Sequence, residues 1–137
     1  MCGERPRAPG LLGRVQQVKS VLLIEDEPNI IEAIRFILEQ DGWTVDTHSD
    51  GADAVERAAA VGPDVIILDL MLPNKSGFDI LRDLRTLPAF VDLPILMLTA
   101  KGQAKDRETA EAHGVTKFMT KPFANQDLLA AVRALGD

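Results

Sequence analysis

One cysteine, Cys2, is present in 137 residues. A single thiol cannot staple a domain internally, which excludes a secreted disulfide framework and makes a reducing cytoplasm the expected compartment. Aromatics are scarce: no tyrosine, one tryptophan (Trp43) and five phenylalanines. That supply reads as core material rather than as a binding platform. The two histidines, His48 and His113, lack metal-ligand spacing, and His113 suits a helix C-terminus. No stretch approaches the roughly 18 uninterrupted apolar residues of a membrane span, and residues 1–10 contain no apolar signal core. Excess positive charge is missing as well. Residues 1–19 carry Arg5, Arg7, Arg14 and Lys19 against Glu4, a net +3, so a chain of net charge −6 leaves −9 on the rest. That acidity disfavours direct nucleic-acid binding through bare phosphates.

What is present is organised around Val65-Ile66-Ile67-Leu68-Asp69-Leu70-Met71-Leu72-Pro73. Four apolar residues, three of them β-branched, run into a carboxylate. An apolar run without polar alternation suits a strand buried on both faces, as in a parallel sheet. The charge therefore marks the strand's C-terminal end, the edge where open α/β sheets place ligands and chemistry.

The remaining chain reads as five repeats of strand then helix. Residues 1–19 form a basic extension or linker rich in Gly, Pro and Arg, in which Leu11 to Val18 could make a helical turn or two. Residues 20–137 form the folded domain. Val21–Ile24 is the first strand, and Pro28 opens a helix that Gly42 ends. Trp43–Asp46 is a second strand, and Ser49 or Asp50 caps a helix over Ala52–Ala60 that stops at Gly62-Pro63. Val65–Asp69 is followed by a helix over Phe78–Arg85, then Ile95–Thr99. A polar helix over Lys105–Ala112 ends at Gly114, and Val115–Met119 is the fifth strand. A last helix runs from Asn125 through Leu135, with no second folded domain expected after it. Such alternation implies parallel strands, right-handed crossovers and helices on both faces.

In a parallel sheet, all strand C-termini open on one edge. Glu25-Asp26 after strand one and Asp69 after strand three would crowd a single crevice, with Thr99 after strand four and Lys121 after strand five. Two like charges ~4 Å apart repel by about 4 kcal/mol at an effective dielectric near 20. A cation is needed to keep such carboxylates ionised, and hard oxygen donors that leave room for water suit Mg²⁺. Lys121 adds a positive point charge and Thr99 a hydroxyl able to donate to an oxyanion. These parts fit phosphoryl transfer, with Asp69 as nucleophile and Glu25 and Asp26 as metal binders.

Glu25-Asp26, Asp69 with Pro73 and Gly77 downstream, Thr99-Ala100 and Lys121-Pro122-Phe123 together resemble the receiver domain of two-component response regulators, a CheY-like superfamily. The likeness covers about residues 20 to 135. It implies a flavodoxin-like, doubly wound sheet of order 2-1-3-4-5 with five helices. It also implies that Asp69 accepts phosphate from a sensor histidine kinase or histidine phosphotransfer protein. Mg²⁺ (or Mn²⁺) would be held by Glu25, Asp26, Asp69 and the backbone carbonyl of Met71. Lys121, with a cis bond to Pro122, would bind a phosphoryl oxygen. Thr99 would turn inward and draw in the aromatic at position 118, altering the surface of helix four, strand five and helix five. The resemblance implies a signalling phosphoacceptor rather than an enzyme, assisting only its own phosphorylation and dephosphorylation. Its output would be an unidentified protein or domain, with a phosphorylation-linked dimer left open and no membrane involved.

Three positions depart from the family's habit. Glu25 stands where Asp is commoner, so its longer arm could reach a metal through water. Phe118 stands where Tyr is common and gates by packing alone. Met71 offers nothing to orient an attacking water, so slow self-dephosphorylation is expected. Met71 also argues against a phosphatase of the haloacid-dehalogenase type, which needs an Asp there. Glu25-Asp26-Glu27 argues against a flavin module, whose phosphate it would repel. A constitutive interaction module that is never phosphorylated is weakened by the retained acids and lysine.

Overall fold

The computed structural model describes residues 19–100 and 104–136. The reading of residues 1–18, including Cys2, lies outside the described residues. Five parallel strands form one sheet: β1 (Ser20–Ile24), β2 (Thr44–His48), β3 (Val65–Asp69), β4 (Ile95–Thr99) and β5 (Lys117–Thr120), in spatial order β2-β1-β3-β4-β5. The helices are α1 (Pro28–Gln40), α2 (Ala54–Val61), α3 (Gly77–Arg85), α4 (Ala104–Ala112) and α5 (Asn125–Gly136).

The apolar strands need both faces covered, and alternate residues divide between two cores. Val21, Leu23, Val65, Ile67, Leu96 and Leu98 pack with Ile34 and Leu38 of α1 and Leu128, Ala131 and Val132 of α5. Leu22, Ile24, Ile66, Leu68 and Met97 face α2, α3 and α4. Every residue of β3 and β4 is buried, as continuous apolar runs require. Truncating one such Leu or Ile to alanine costs about 2–5 kcal/mol.

Two strands sit further along the chain than their apolar residues predict. β2 starts at Thr44 and runs on to His48, leaving Trp43 just ahead of it. Its last residues pair with Leu23 and Ile24 of β1. β5 starts at Lys117, because Val115 N–H still closes the end of α4 on Ala110 and Thr116 is used to tie in Ile95. Both are edge strands, where backbone pairing continues through polar residues that carry no apolar signal. The second helix is preceded by a single 3-10 turn at Gly51–Asp53, capped by Asp50, whose carboxylate accepts from Ala52 N–H at 2.8 Å. Gly42 and Gly62 adopt φ of 93° and 62°, left-handed values that end α1 and α2.

Arg85 ties together segments far apart in sequence. Its guanidinium donates to the carbonyls of Phe90 (2.6 Å), Leu93 (2.8 Å) and Gly114 (2.9 Å). Nothing in the sequence marks this role.

Candidate functional site

Strand register brings the expected residues to one edge. Ile24 pairs with Leu68, so Glu25 arrives level with Asp69. Asp69 pairs with Leu98, so Thr99 stands one step beyond it. Thr99 pairs with Thr120, which places Lys121 next. Lys121 N–H donates to the Thr99 carbonyl at 2.7 Å, and the Lys121–Pro122 peptide is cis.

Glu25, Asp26 and Asp69 each offer a carboxylate oxygen within 4.8 Å of the others. Glu25 is wholly buried and Asp69 nearly so, while Asp26 is exposed. Lys121 Nζ lies 3.1 Å from Glu25 Oε1, 3.4 Å from Asp69 Oδ1 and 3.6 Å from Glu27 Oε1. The other Glu25 oxygen accepts the Glu27 N–H at 3.1 Å. Glu25 is thus clamped by its own turn and by the lysine, a pairing across 96 residues that the sequence does not advertise. Glu27, in sequence only the third of a run of acids, joins the site as a further carboxylate near the lysine.

Burial pushes the Asp69 carboxyl up to about 6, and the Glu25 charge pushes the same way. Lys121 and the Met71 N–H, which bonds the Asp69 carboxylate, pull it back. For Lys121, burial favours the neutral amine, but the Glu25 hydrogen bond and the two carboxylate charges outweigh burial and raise its pKa. The result is a desolvated carboxylate beside a firmly charged ammonium.

Thr99 is fully buried at the end of β4. Met71 projects its side chain into solvent, 59% exposed, while its backbone N–H turns back to Asp69. Phe118 does not join the cluster. It lies lower on β5, opposite Met97, buried on the α4 side with the Arg107 guanidinium 5.0 Å from its ring centre. That cation–π contact gives the ring a polar partner that its lack of a hydroxyl does not suggest.

Gly77 keeps the loop after Asp69 tight. Its N–H donates to the Leu70 carbonyl at 2.8 Å, and a Cβ there would lie 2.4 Å from the Asp69 carbonyl oxygen and 2.8 Å from Leu70 Cα. Backbone cannot swing away as a flexible side chain can. Gly77→Ala is expected to lower the unfolding free energy by about 2–3 kcal/mol in urea titration; an unchanged midpoint and slope would remove this account of the glycine.

A parallel sheet of order 2-1-3-4-5 with acids, a threonine and a lysine on its C-terminal edge defines a receiver domain. The family model for the response regulator receiver domain matches residues 21–133, and the chain belongs to that family. Among curated relatives, it is 38% identical over 138 residues to the transcriptional regulatory protein TrcR of Mycobacterium tuberculosis, covering 96% of this chain and 53% of that protein. It is 40% identical over 115 residues to the DNA-binding dual master transcriptional regulator RpaA of Synechocystis, covering 84% of this chain and 48% of the relative. The chain thus spans about half the length of these relatives. Among solved structures, the chemotaxis protein CheY4 of Vibrio cholerae superposes with a TM-score of 0.81 at 29% identity, over 87% of this chain and 99% of that one. The receiver domain of the sensor histidine kinase PA1611 of Pseudomonas aeruginosa, solved with a magnesium ion coordinated in its active-site cleft, gives 0.80 at 29% identity, over 87% and 98%. Membership implies a phosphoacceptor role in two-component signalling. No helix among the described residues is long and apolar enough to cross a membrane.

Proposed function

We propose that Asp69 is the phosphoacceptor and that a sensor histidine kinase or histidine phosphotransfer protein is the donor. The observation that carries this reading is a nearly buried Asp69 carboxylate 3.4 Å from Lys121 Nζ, on the rigid end of the central strand. An Asp69 carboxylate oxygen attacks phosphorus, the phosphorus–nitrogen bond to the donor imidazole breaks, and the imidazole leaves with its nitrogen reprotonated. Lys121 neutralises charge on the transferring oxygens, and the Thr99 hydroxyl donates to one of them.

The three clustered carboxylates form a hard-oxygen donor set suited to Mg²⁺ or Mn²⁺. We assign Glu25, Asp26, Asp69 and the Met71 carbonyl to hold that ion. When bound, it supplies charge neutralisation to the carboxylates and the phosphoryl oxygens. Thr99 and Phe118 pass the change to the surface of α4, β5 and α5, where an output protein or attached domain reads it by protein contact. The domain covers residues 20–137, with residues 1–19 as an extension. Its site serves its own phosphorylation and dephosphorylation rather than turnover of other substrates.

Incubation with Mg²⁺ and acetyl phosphate is expected to add one phosphoryl group by intact mass, and none to Asp69→Asn. An adduct that persists in Asp69→Asn would defeat the assignment. Sustained hydrolysis of unrelated phosphate esters would favour a phosphatase instead.

A further inference from the structure

The segment from His48 to Gly51 touches both arms of the site. On one side, the His48 carbonyl accepts the Glu25 N–H at 2.9 Å. On the other, the Gly51 N–H donates to the Pro73 carbonyl at 3.1 Å, and Asn74 Nδ2 lies 3.0 Å from each Asp50 carboxylate oxygen. The approach is close: Gly51 is buried, and a Cβ there would lie 2.4 Å from the Lys75 carbonyl oxygen. Asn74 takes a left-handed φ of 69° to deliver its amide. Lys75 in turn pairs with Asp83 of α3 at 2.5 Å.

We propose that Asp50 is a positioning residue whose contact with Asn74 sets the spacing between the Glu25-Asp26 arm and the Asp69-Met71 arm. The proposal rests on the metal-dependent reading of the site given above. Residues 70–76 leave directly from Asp69, and the Met71 N–H bonds its carboxylate. A shift of Pro73 and Asn74 therefore reaches Met71 and turns the Asp69 oxygens. Glu25 is hung from the same segment through His48, so one short span fixes both halves of the oxygen set. Groups that orient metal ligands without touching the metal commonly govern affinity by 10–100-fold. Here the lever works through backbone, and the effect belongs at the lower end of that range.

The test is calorimetric titration of the intact chain with Mg²⁺, beside melting curves in chelator. Asp50→Ala and Asn74→Gly should each weaken Mg²⁺ binding roughly tenfold; Asn74→Gly should melt close to wild type, and Asp50→Ala, which also loses its cap on the Ala52 N–H, a few degrees lower. The double variant should bind Mg²⁺ little worse than either single one, since the Asp50–Asn74 contact is the loss shared by all three. Asp50→Asn should recover part of the affinity, because its amide oxygen still accepts from Asn74 and from the Ala52 N–H while its amide nitrogen replaces the second acceptor. Phosphorylation by acetyl phosphate in Asp50→Ala should return to near the wild-type rate at saturating Mg²⁺. Unchanged affinity in Asp50→Ala beside normal wild-type binding would sink the positioning role alone. Loss of affinity in proportion to lost melting temperature, without recovery in Asp50→Asn, would reduce the contact to a structural one. Absence of Mg²⁺ binding by the wild type would overturn the reading of the site and this proposal with it. If Asp50→Ala fails to fold, Asn74→Gly decides, since glycine keeps the left-handed backbone.

Discussion

Lys121→Met is expected to cost about 3–5 kcal/mol of unfolding free energy at neutral pH in chelator, the usual effect of leaving a buried charge without its partner. Lys121 is the cation among three carboxylates, one of them wholly buried. Methionine preserves the stem's packing and removes the charge. The sign of the lysine shift fixes when its contribution is present. Its pKa is raised in the folded chain, so the stabilisation is complete below the ordinary lysine value of 10.5 and is lost only as pH rises through the folded value above it. Added Mg²⁺ should restore part of the loss, because the ion proposed for this site would serve the same carboxylates. Urea titrations with and without Mg²⁺ measure both effects. A chelator-independent loss below about 1 kcal/mol, the scale of an exposed ion pair, would show that the lysine is not the buried carboxylates' counter-charge. The same variant should also react far more slowly with acetyl phosphate.

Asp69→Asn should do the opposite and stabilise the metal-free protein. The carboxyl's folded-state value of about 6 stands above the ordinary 3.8. The folded chain therefore binds the extra proton between those values, and wild-type stability falls as pH rises from about 4 to 6 and stays lower above. A shift of this size corresponds to about 3 kcal/mol at most. Asparagine keeps the shape and carries no charge. In chelator the variant should gain about 2–3 kcal/mol above pH 6, a rise of roughly 10 °C in melting temperature, and nothing below pH 4. Mg²⁺ should narrow the gap by relieving the repulsion in the wild type. A variant that melts at or below the wild type at pH 7.5 would mean the carboxylate is not disfavoured by its burial. Together the two variants separate the roles: one removes the cluster's counter-charge, the other a charge that it has in excess.

Much of the fold was legible because its signals are local. Val65–Leu68 and Ile95–Leu98 are apolar without alternation, and central parallel strands need that pattern. Gly42, Gly62 and Pro28 punctuate helices by backbone chemistry that any neighbourhood would respect. The edge strands lie later than their apolar residues suggest, because Thr47, His48 and Thr120 pair through backbone while their side chains are polar. In the site, the residues brought to one edge were legible from strand ends alone, since parallel strands carry their C-termini to the same side.

Other features had no local trace. Burial and pairing of Glu25 with Lys121 join positions 96 apart. The Asp50–Asn74 contact spans 24 residues, and Arg107 reaches Phe118 from another element. Which segments are strands, which are helices, and that carboxylates, a hydroxyl and a lysine must meet at one sheet edge are all legible in the chain alone. Periodicity, glycine and proline act over a few residues and are written directly in the chain. Tertiary packing alone settles which carboxylate takes the lysine, how far Asp69 is lifted from its ordinary pKa, and that Asp50 meets Asn74 beside the site. Those outcomes depend on desolvation and on distances of about 3 Å between side chains remote in sequence, and no local pattern encodes either.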